Sequence, residues 1–369
     1  MQSIYVHFPF CESKCHYCDF YSLGKERTRP GDESQFEAAL RKEAESIATT
    51  HSPSQLSSIF LGGGTPSMTP PESMAKALEP LWKTFQLTPE TEWTMEANPS
   101  SVNPQSLSEY RALGINRISL GVQAMRPDLL ELLGRVHSQQ AALGALEAIF
   151  KAGFTNVSVD LLCGVPGQSE QDVIQALTQL TAFPITHLSC YLLTLPKHHA
   201  LFPQLPCEET QLQHLLVVHD WMTAHGFEHY EISNFAKPGK QAVHNLHYWN
   251  GSSYLGLGPS AHSYDAKQQI RWKNVSSLHR YASLLNQGLS PIESKETLTT
   301  EQIRLEQWML KVRLSTGFPK TWLSTESQKQ KALRLTHEGL IEQHPNLPER
   351  LRLTAKGFAL SDQILQVLT

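Results

Sequence analysis

The chain is short of cationic excess, of cysteine and of long apolar runs, and each shortage closes off a class of protein. Its 31 basic residues stand against 35 acidic ones, a net charge of −4. A phosphate backbone finds little to attract it, so no nucleic acid partner is expected. No stretch reaches the roughly 18 apolar residues of a spanning helix. The opening "MQSIYVHFPF" lacks the basic flank and apolar run of a signal peptide. The expectation is a cytoplasmic protein that meets a membrane only through a partner. Six cysteines in 369 residues are too sparse for a disulfide scaffold, which points to a reducing compartment. The Gly-rich run "GGGTP" is followed by no Gly-Lys-Ser/Thr, which excludes a phosphate-cradling P-loop.

What is present is a rhythm. Apolar, strand-like runs recur at 4–8 ("IYVHF"), 58–64 ("SIFLGGG"), 92–97 ("EWTMEA"), 117–123 ("RISLGVQ"), 157–164 ("VSVDLLCG") and 187–195 ("HLSCYLLTL"). Segments of helical spacing lie between and after them, at 35–50, 72–86, 104–113, 138–152, 168–181 and 208–225. Such alternation predicts an α/β fold of parallel βαβ units with right-handed crossovers. Six units fall short of the eight of a closed TIM barrel, so a partial (β/α)6 TIM-like barrel is expected. A doubly wound sheet of six strands would share the periodicity. The polar residues that follow the strand runs, Cys11, "GGGTP", Glu96, Gln123 and Asp160, favour the barrel, whose carboxyl-end loops gather at one face. Residues 1–230 are read as this core and 231–297 as a connecting region. Residues 298–369 are read as a smaller helical, winged-helix-like domain without basic bias, suited to packing or interaction more than to DNA.

Three of the six cysteines, Cys11, Cys15 and Cys18, fall in "CESKCHYC" straight after the first strand run. Soft thiolates suit iron–sulfur clusters and zinc. Three on one loop can hold three irons of a cubane and leave the fourth iron open to a small chelating molecule. The alternatives are a zinc site completed by His7 or His16, a redox pair from Cys15 and Cys18, and unrelated buried thiols. Glycines at 62–64 let backbone amides approach a charged ligand group. Tyr5 and His7 share a strand face, and His7 reads equally as a core histidine. Glu96, between Met95 and Ala97, needs a cationic or hydrogen-bonding partner if buried. Cys163 and Cys190 read as core residues and Cys207 as a loop thiol.

The spacing "CESKCHYC" resembles the signature of the radical S-adenosylmethionine (SAM) superfamily. "IYVHFPFCESKCHYCDF", "FLGGGTPS", "MEANP", "NRISLGVQ", "LGRVH", "VDLLCGVPGQ" and "HNLHYW" follow in order and together resemble the haem-chaperone family within it. That family is related to the oxygen-independent coproporphyrinogen III oxidase. The resemblance implies a 4Fe–4S cluster on Cys11, Cys15 and Cys18, with SAM as the ligand of the open iron. It implies cofactor contacts from Tyr5, Gly63, Gly64, Thr65, Glu96, Gln123, Arg135 and Asp160. It further implies haem as a bound partner, with His244 and His247 of "HNLHYW" as candidate ligands, an acceptor apo-haemoprotein, and an electron donor where SAM is cleaved.

One position departs from the oxidase pattern. A further cysteine stands there two residues after the third cluster cysteine, whereas this chain has Phe20. The difference leaves the cluster possible and argues against decarboxylation of coproporphyrinogen. Three functions therefore compete: a haem-transfer protein, a radical enzyme acting on a tetrapyrrole, and a zinc-stabilised interaction protein.

Overall fold

The computed structural model describes residues 3–369. The alternating part runs β1 (Ser3–Phe8), α1 (Asp32–Thr50), β2 (Ser58–Gly63), α2 (Pro71–Leu78), β3 (Glu92–Ala97) and α3 (Pro104–Ala112). It continues as β4 (Arg117–Gln123), α4 (Gln139–Lys151), β5 (Asn156–Cys163), α5 (Glu170–Thr181), β6 (His187–Leu192) and α6 (Glu208–Ala224). Each expected strand run is a strand. The chain then forms β7 (Glu228–Glu231), β8 (Asn234–Ala236), α7 (Val243–Trp249), β9 (Tyr254–Leu257), β10 (His262–Asp265), β11 (Ile270–Asn274), α8 (Leu278–Asn286) and β12 (Ile292–Thr297). It ends with α9 (Thr300–Val312), α10 (Glu326–His337) and α11 (Ser361–Leu368).

The residues cluster into two compact units that interleave along the sequence. The first holds residues 3–160, 183–185 and 252–297. Its strands lie in the order β5, β4, β3, β2, β1, β9, β10, β11, β12. β1 pairs in parallel with β2 from Ser3↔Ser58 to Phe8↔Gly63, β2 with β3 from Ser58↔Glu92, and β3 with β4 from Thr94↔Arg117. Parallel strands covered by helices are buried on both faces and need no polar alternation, and β1, β2, β3 and β4 are buried almost throughout. The covering helices present apolar stripes. α4 buries Ala142, Ala145, Leu146 and Ile149, the spacing of one helical face.

The second unit holds Leu161–Ala182, Thr186–Gly251 and Leu298–Thr369. Within it the end of β5 lies beside β6, where the Leu193 N–H donates to the Cys163 carbonyl at 2.8 Å, and β8 and β7 follow in antiparallel pairing. Its C-terminal part packs α9, α10 and α11 with a three-stranded sheet around Trp308, Phe318, Ile341, Leu353, Phe358 and Ile364.

One buried polar cluster ties the first unit together. Glu43 of α1 accepts hydrogen bonds from the Gly258 N–H (2.8 Å), the Asn274 side-chain amide (2.7 Å) and the Tyr281 hydroxyl (2.5 Å). Burial pushes its carboxyl up from 4.5 to about 7. A native value above the unfolded one means that the folded chain binds this proton more tightly. The contribution is then full below about pH 4.5 and lost as pH rises through about 7. Glu43→Gln should flatten that part of the profile. Its urea midpoint is expected to vary less than the parent's between about pH 5 and 7.5; an unchanged slope would exclude Glu43 as a contributor.

Candidate functional site

The functional candidates are the exceptions to burial along the central strands. In β1 only Tyr5 is partly exposed, in β3 only Glu96 and in β4 only Gln123. In β2 the exceptions are Phe60 and Gly63, and in β5 they are Asn156 and Asp160. A strand otherwise buried on both faces opens to solvent only where a cavity or mouth meets it. Because the register is parallel, Gly63, Glu96 and Gln123 lie toward the same, carboxyl end of the sheet. Gln123 adopts φ of 66°, a left-handed conformation that costs a non-glycine residue of order 1 kcal/mol and clusters at functional sites.

The cysteine loop leaves β1 and is pinned at its ends and in its middle. The Leu23 N–H donates to the Pro9 carbonyl at 2.6 Å, and the His16 N–H to the Leu133 carbonyl at 3.3 Å. Cys11, Cys15 and Cys18 are free and partly exposed. Burial raises the thiols of Cys11 and Cys18, and charge on Cys15 beside them raises both further. Among the described residues, no three His, Cys, Asp or Glu side chains converge as a single metal ion requires. His7 is committed elsewhere. Its Nε2 lies 2.8 Å from the Tyr21 carbonyl and must carry the proton, so Nδ1 accepts from the Tyr5 hydroxyl at 3.0 Å. Burial lowers its pKa to about 4, which keeps the ring neutral. His16 Nδ1 faces the Leu132 carbonyl at 3.1 Å.

The glycine run lies against the strand that leads into Cys11. The Gly64 N–H donates to the Phe8 carbonyl at 2.6 Å and the Thr65 N–H to the Phe10 carbonyl at 2.7 Å. A Cβ on Gly64 would stand 2.6 Å from the Phe10 oxygen and 2.8 Å from the Phe8 oxygen. Gly63, at φ of 105°, donates its N–H to Glu96 Oε2 at 3.1 Å. Glu96 is pushed up to about 8, by burial first and then by the Asp160 carboxylate. Asp160 accepts from the Ser119 hydroxyl at 3.1 Å.

Arg135 links the loops. Its Nη1 donates to Cys15 Sγ at 3.3 Å, and its Nη2 to Asn98 Oδ1 at 2.6 Å and to the Gly121 carbonyl at 2.7 Å. Its Nε is buried without a partner. The Asn98 amide donates to Thr65 Oγ1 at 2.8 Å, and the Thr65 hydroxyl faces Cys11 Sγ at 3.7 Å. Sequence reasoning missed Asn98 and Phe60. Asn98 sits in the quoted "MEANP", but nothing in an isolated Asn-Pro pair separates this role from a turn. Phe60 stacks on Tyr5 with ring centroids 6.2 Å apart, a contact that the strand pairing alone creates.

The remaining candidates lie in the second unit. "VHNLHYW" forms the short helix α7. His244 is buried, pairs with the Tyr248 hydroxyl at 2.8 Å through Nε2, and is lowered to about 3 by burial and then by His247. His247 is partly exposed. The Trp249 indole N–H donates to Glu231, whose carboxyl burial pushes up to about 8. Cys163 and Cys190 are buried with their sulfurs 3.2 Å apart, and Cys207 is exposed.

A family model described as the radical SAM superfamily matches residues 5–180. The haem chaperone HemW of Mycobacterium tuberculosis is 34% identical over 373 residues, spanning 99% of this chain and 94% of that protein. HemW of Bacillus subtilis is 34% identical over 331 residues, spanning 87% and 85%. Among solved structures, the coproporphyrinogen III oxidase HemN of Escherichia coli, a radical SAM enzyme, matches with a TM-score of 0.83 at 21% identity. The match covers 100% of this chain and 89% of that one, and at this identity it speaks for the fold alone. The chain is a radical SAM protein, an α/β fold of parallel strands with helices and an added C-terminal domain. Within that superfamily it belongs to the HemW family.

Main-chain oxygens cannot rotate away from an added methyl group. Gly64→Ala should therefore lower the stability read by urea unfolding by about 1–3 kcal/mol. Gly144→Ala, in mid-helix with nothing within 4 Å of the added carbon, should be neutral or stabilising by about 0.5–1 kcal/mol. Equal behaviour of the two variants would refute the close approach at Gly64.

Proposed function

We propose that the chain is a haem chaperone, one that binds haem and passes it to an acceptor apo-haemoprotein while carrying a 4Fe–4S cluster and SAM. The observation that carries this reading is the likeness to HemW over 99% of the chain. Residues 1–230 would form the radical SAM core, 231–297 the connecting region and 298–369 the C-terminal domain. The work would take place in the cytoplasm. Among the described residues no helix is long and apolar enough to cross a membrane.

Cys11, Cys15 and Cys18 would hold the cluster. Burial first, and then charge on the neighbouring thiols, holds Cys11 and Cys18 toward the neutral form, and iron would stabilise them deprotonated. In a cubane each of the three thiolates would take its own iron. The double commitment of His7 weakens the zinc alternative.

Tyr5, Gly63, Gly64, Thr65, Glu96, Gln123, Arg135 and Asp160 would hold SAM. Glu96 and Asp160 repel one another, which suits a ligand bringing an ammonium group and hydroxyls. The unpartnered Nε–H of Arg135 offers a donor to an anionic or sulfur-bearing group. When bound, the pair of cofactors supplies a low-potential electron and a ligand for the open iron. The chain's own part is to orient and desolvate them: His7 aims the Tyr5 hydroxyl, and Gly63 and Gly64 let main chain stand where side chains would intrude. His244 and His247 are the candidates for haem. His247 is the more accessible ring, whereas His244 would first have to leave Tyr248.

A radical enzyme acting on a tetrapyrrole is the second reading, favoured by the fold shared with HemN and opposed by Phe20 at the position of the oxidase's extra cysteine. Anaerobic reconstitution should yield about four iron and four sulfide per chain, and Cys15→Ser should lose that iron while remaining folded by circular dichroism. Full iron in the variant would refute the loop's assignment. The haem-loaded protein should then convert an apo-haemoprotein to its holo spectrum. Consumption of coproporphyrinogen and SAM without such transfer would establish the second reading instead.

A further inference from the structure

We infer that Asn98 is a positioning residue that sets two of the hydrogen bonds to the cluster thiolates, and through them the reduction potential of the metal group; this rests on the reading that Cys11, Cys15 and Cys18 carry that group. Its amide is the junction between two donors that end on different sulfurs. The guanidinium has no acceptor, so the oxygen of Asn98 must face Arg135 and its NH2 must face Thr65. With one lone pair of Thr65 Oγ1 so engaged, the hydroxyl hydrogen is left for Cys11 Sγ, 3.7 Å away. With Nη2 of Arg135 held by both Asn98 and the Gly121 carbonyl, the plane of the guanidinium is fixed and Nη1 is delivered to Cys15 Sγ at 3.3 Å.

The junction is itself held in place. The Asn98 N–H donates to Ser101 Oγ at 3.3 Å, and the Ser101 hydroxyl returns a bond to the Asn98 carbonyl at 2.9 Å. Space for it comes from Gly121, where a Cβ would stand 3.3 Å from Asn98 Oδ1 and 3.5 Å from Arg135 Nη2. Reduction adds negative charge to an iron–sulfur cluster, and its potential follows the net charge and the hydrogen bonds at the sulfurs. A hydroxyl and a guanidinium aimed at two of the three thiolates stabilise the reduced form. Asn98 touches no sulfur itself and acts through both donors.

The test compares the parent, Asn98→Leu and Thr65→Val after anaerobic reconstitution without SAM, using iron and sulfide content followed by a redox titration monitored by electron paramagnetic resonance. At unchanged iron content, Asn98→Leu should titrate at a more negative potential. At the parent's midpoint its reduced-to-oxidised ratio should fall at least about threefold, about 28 mV at 59 mV per decade. Thr65→Val, which removes one donor, should shift the same way by less. An Asn98→Leu midpoint equal to the parent's at full iron would overturn the inference. Should Asn98→Leu hold no iron, Thr65→Val decides alone: an unshifted midpoint there overturns it equally. A parent chain that takes up no iron would instead defeat the cluster assignment, and the iron count separates that failure from the others.

Discussion

Parallel pairing of β1 with β2, β2 with β3 and β3 with β4 is the constraint from which the site follows. Parallel strands joined by covering helices all end at the same edge of the sheet, so the residues that leave them must meet there. Burial on both faces closes those strands to solvent almost throughout. Tyr5, Glu96 and Gln123, each the one partly exposed residue of its strand, mark where the edge opens. The Gly64 and Thr65 amides, bonded to carbonyls on either side of Pro9, lock the second strand's loop against the cysteine loop.

The resulting pocket is out of electrostatic balance. Asp160 stands beside Glu96, and three ionisable thiols gather near two cations, Arg135 acting on Cys11 and Lys14 on Cys18. The protein answers partly by protonation, as the raised values of Glu96, Cys11 and Cys18 describe, and partly by spreading Arg135 over Cys15, Asn98 and the Gly121 carbonyl. A cationic cluster and a ligand bearing an ammonium group would restore the balance that the polypeptide lacks. A surface built only for packing would have no reason to set Asp160 beside Glu96, or Cys15 beside Cys11 and Cys18.

The haem candidates obey different physics. In the second unit, α7 is held by contacts that freeze its aromatic residues, His244 on Tyr248 and Trp249 on Glu231. Glu231 is buried, with one carboxylate oxygen lacking a partner. A carboxyl raised to about 8 is mostly protonated at neutral pH, so the acceptor of the Trp249 N–H is for the most part a neutral acid.

Much was legible in the residues alone. The strand runs, the three-thiol loop, the glycine run and the order of the motifs are local patterns, and local patterns survive without knowledge of the fold because hydrophobic period and ligand spacing are properties of neighbouring residues. Asn98, Phe60 and the neutral, doubly bonded state of His7 were not legible. Each depends on which atom a register brings opposite: Thr65 and Arg135 for the Asn98 amide, Tyr5 for Phe60, the Tyr21 carbonyl for His7. The sequence by itself determined the elements and the chemistry they could carry. Only the tertiary structure decided which side chains share protons and charge, because hydrogen bonds and electrostatic coupling depend on distances in space that separation along the chain does not encode.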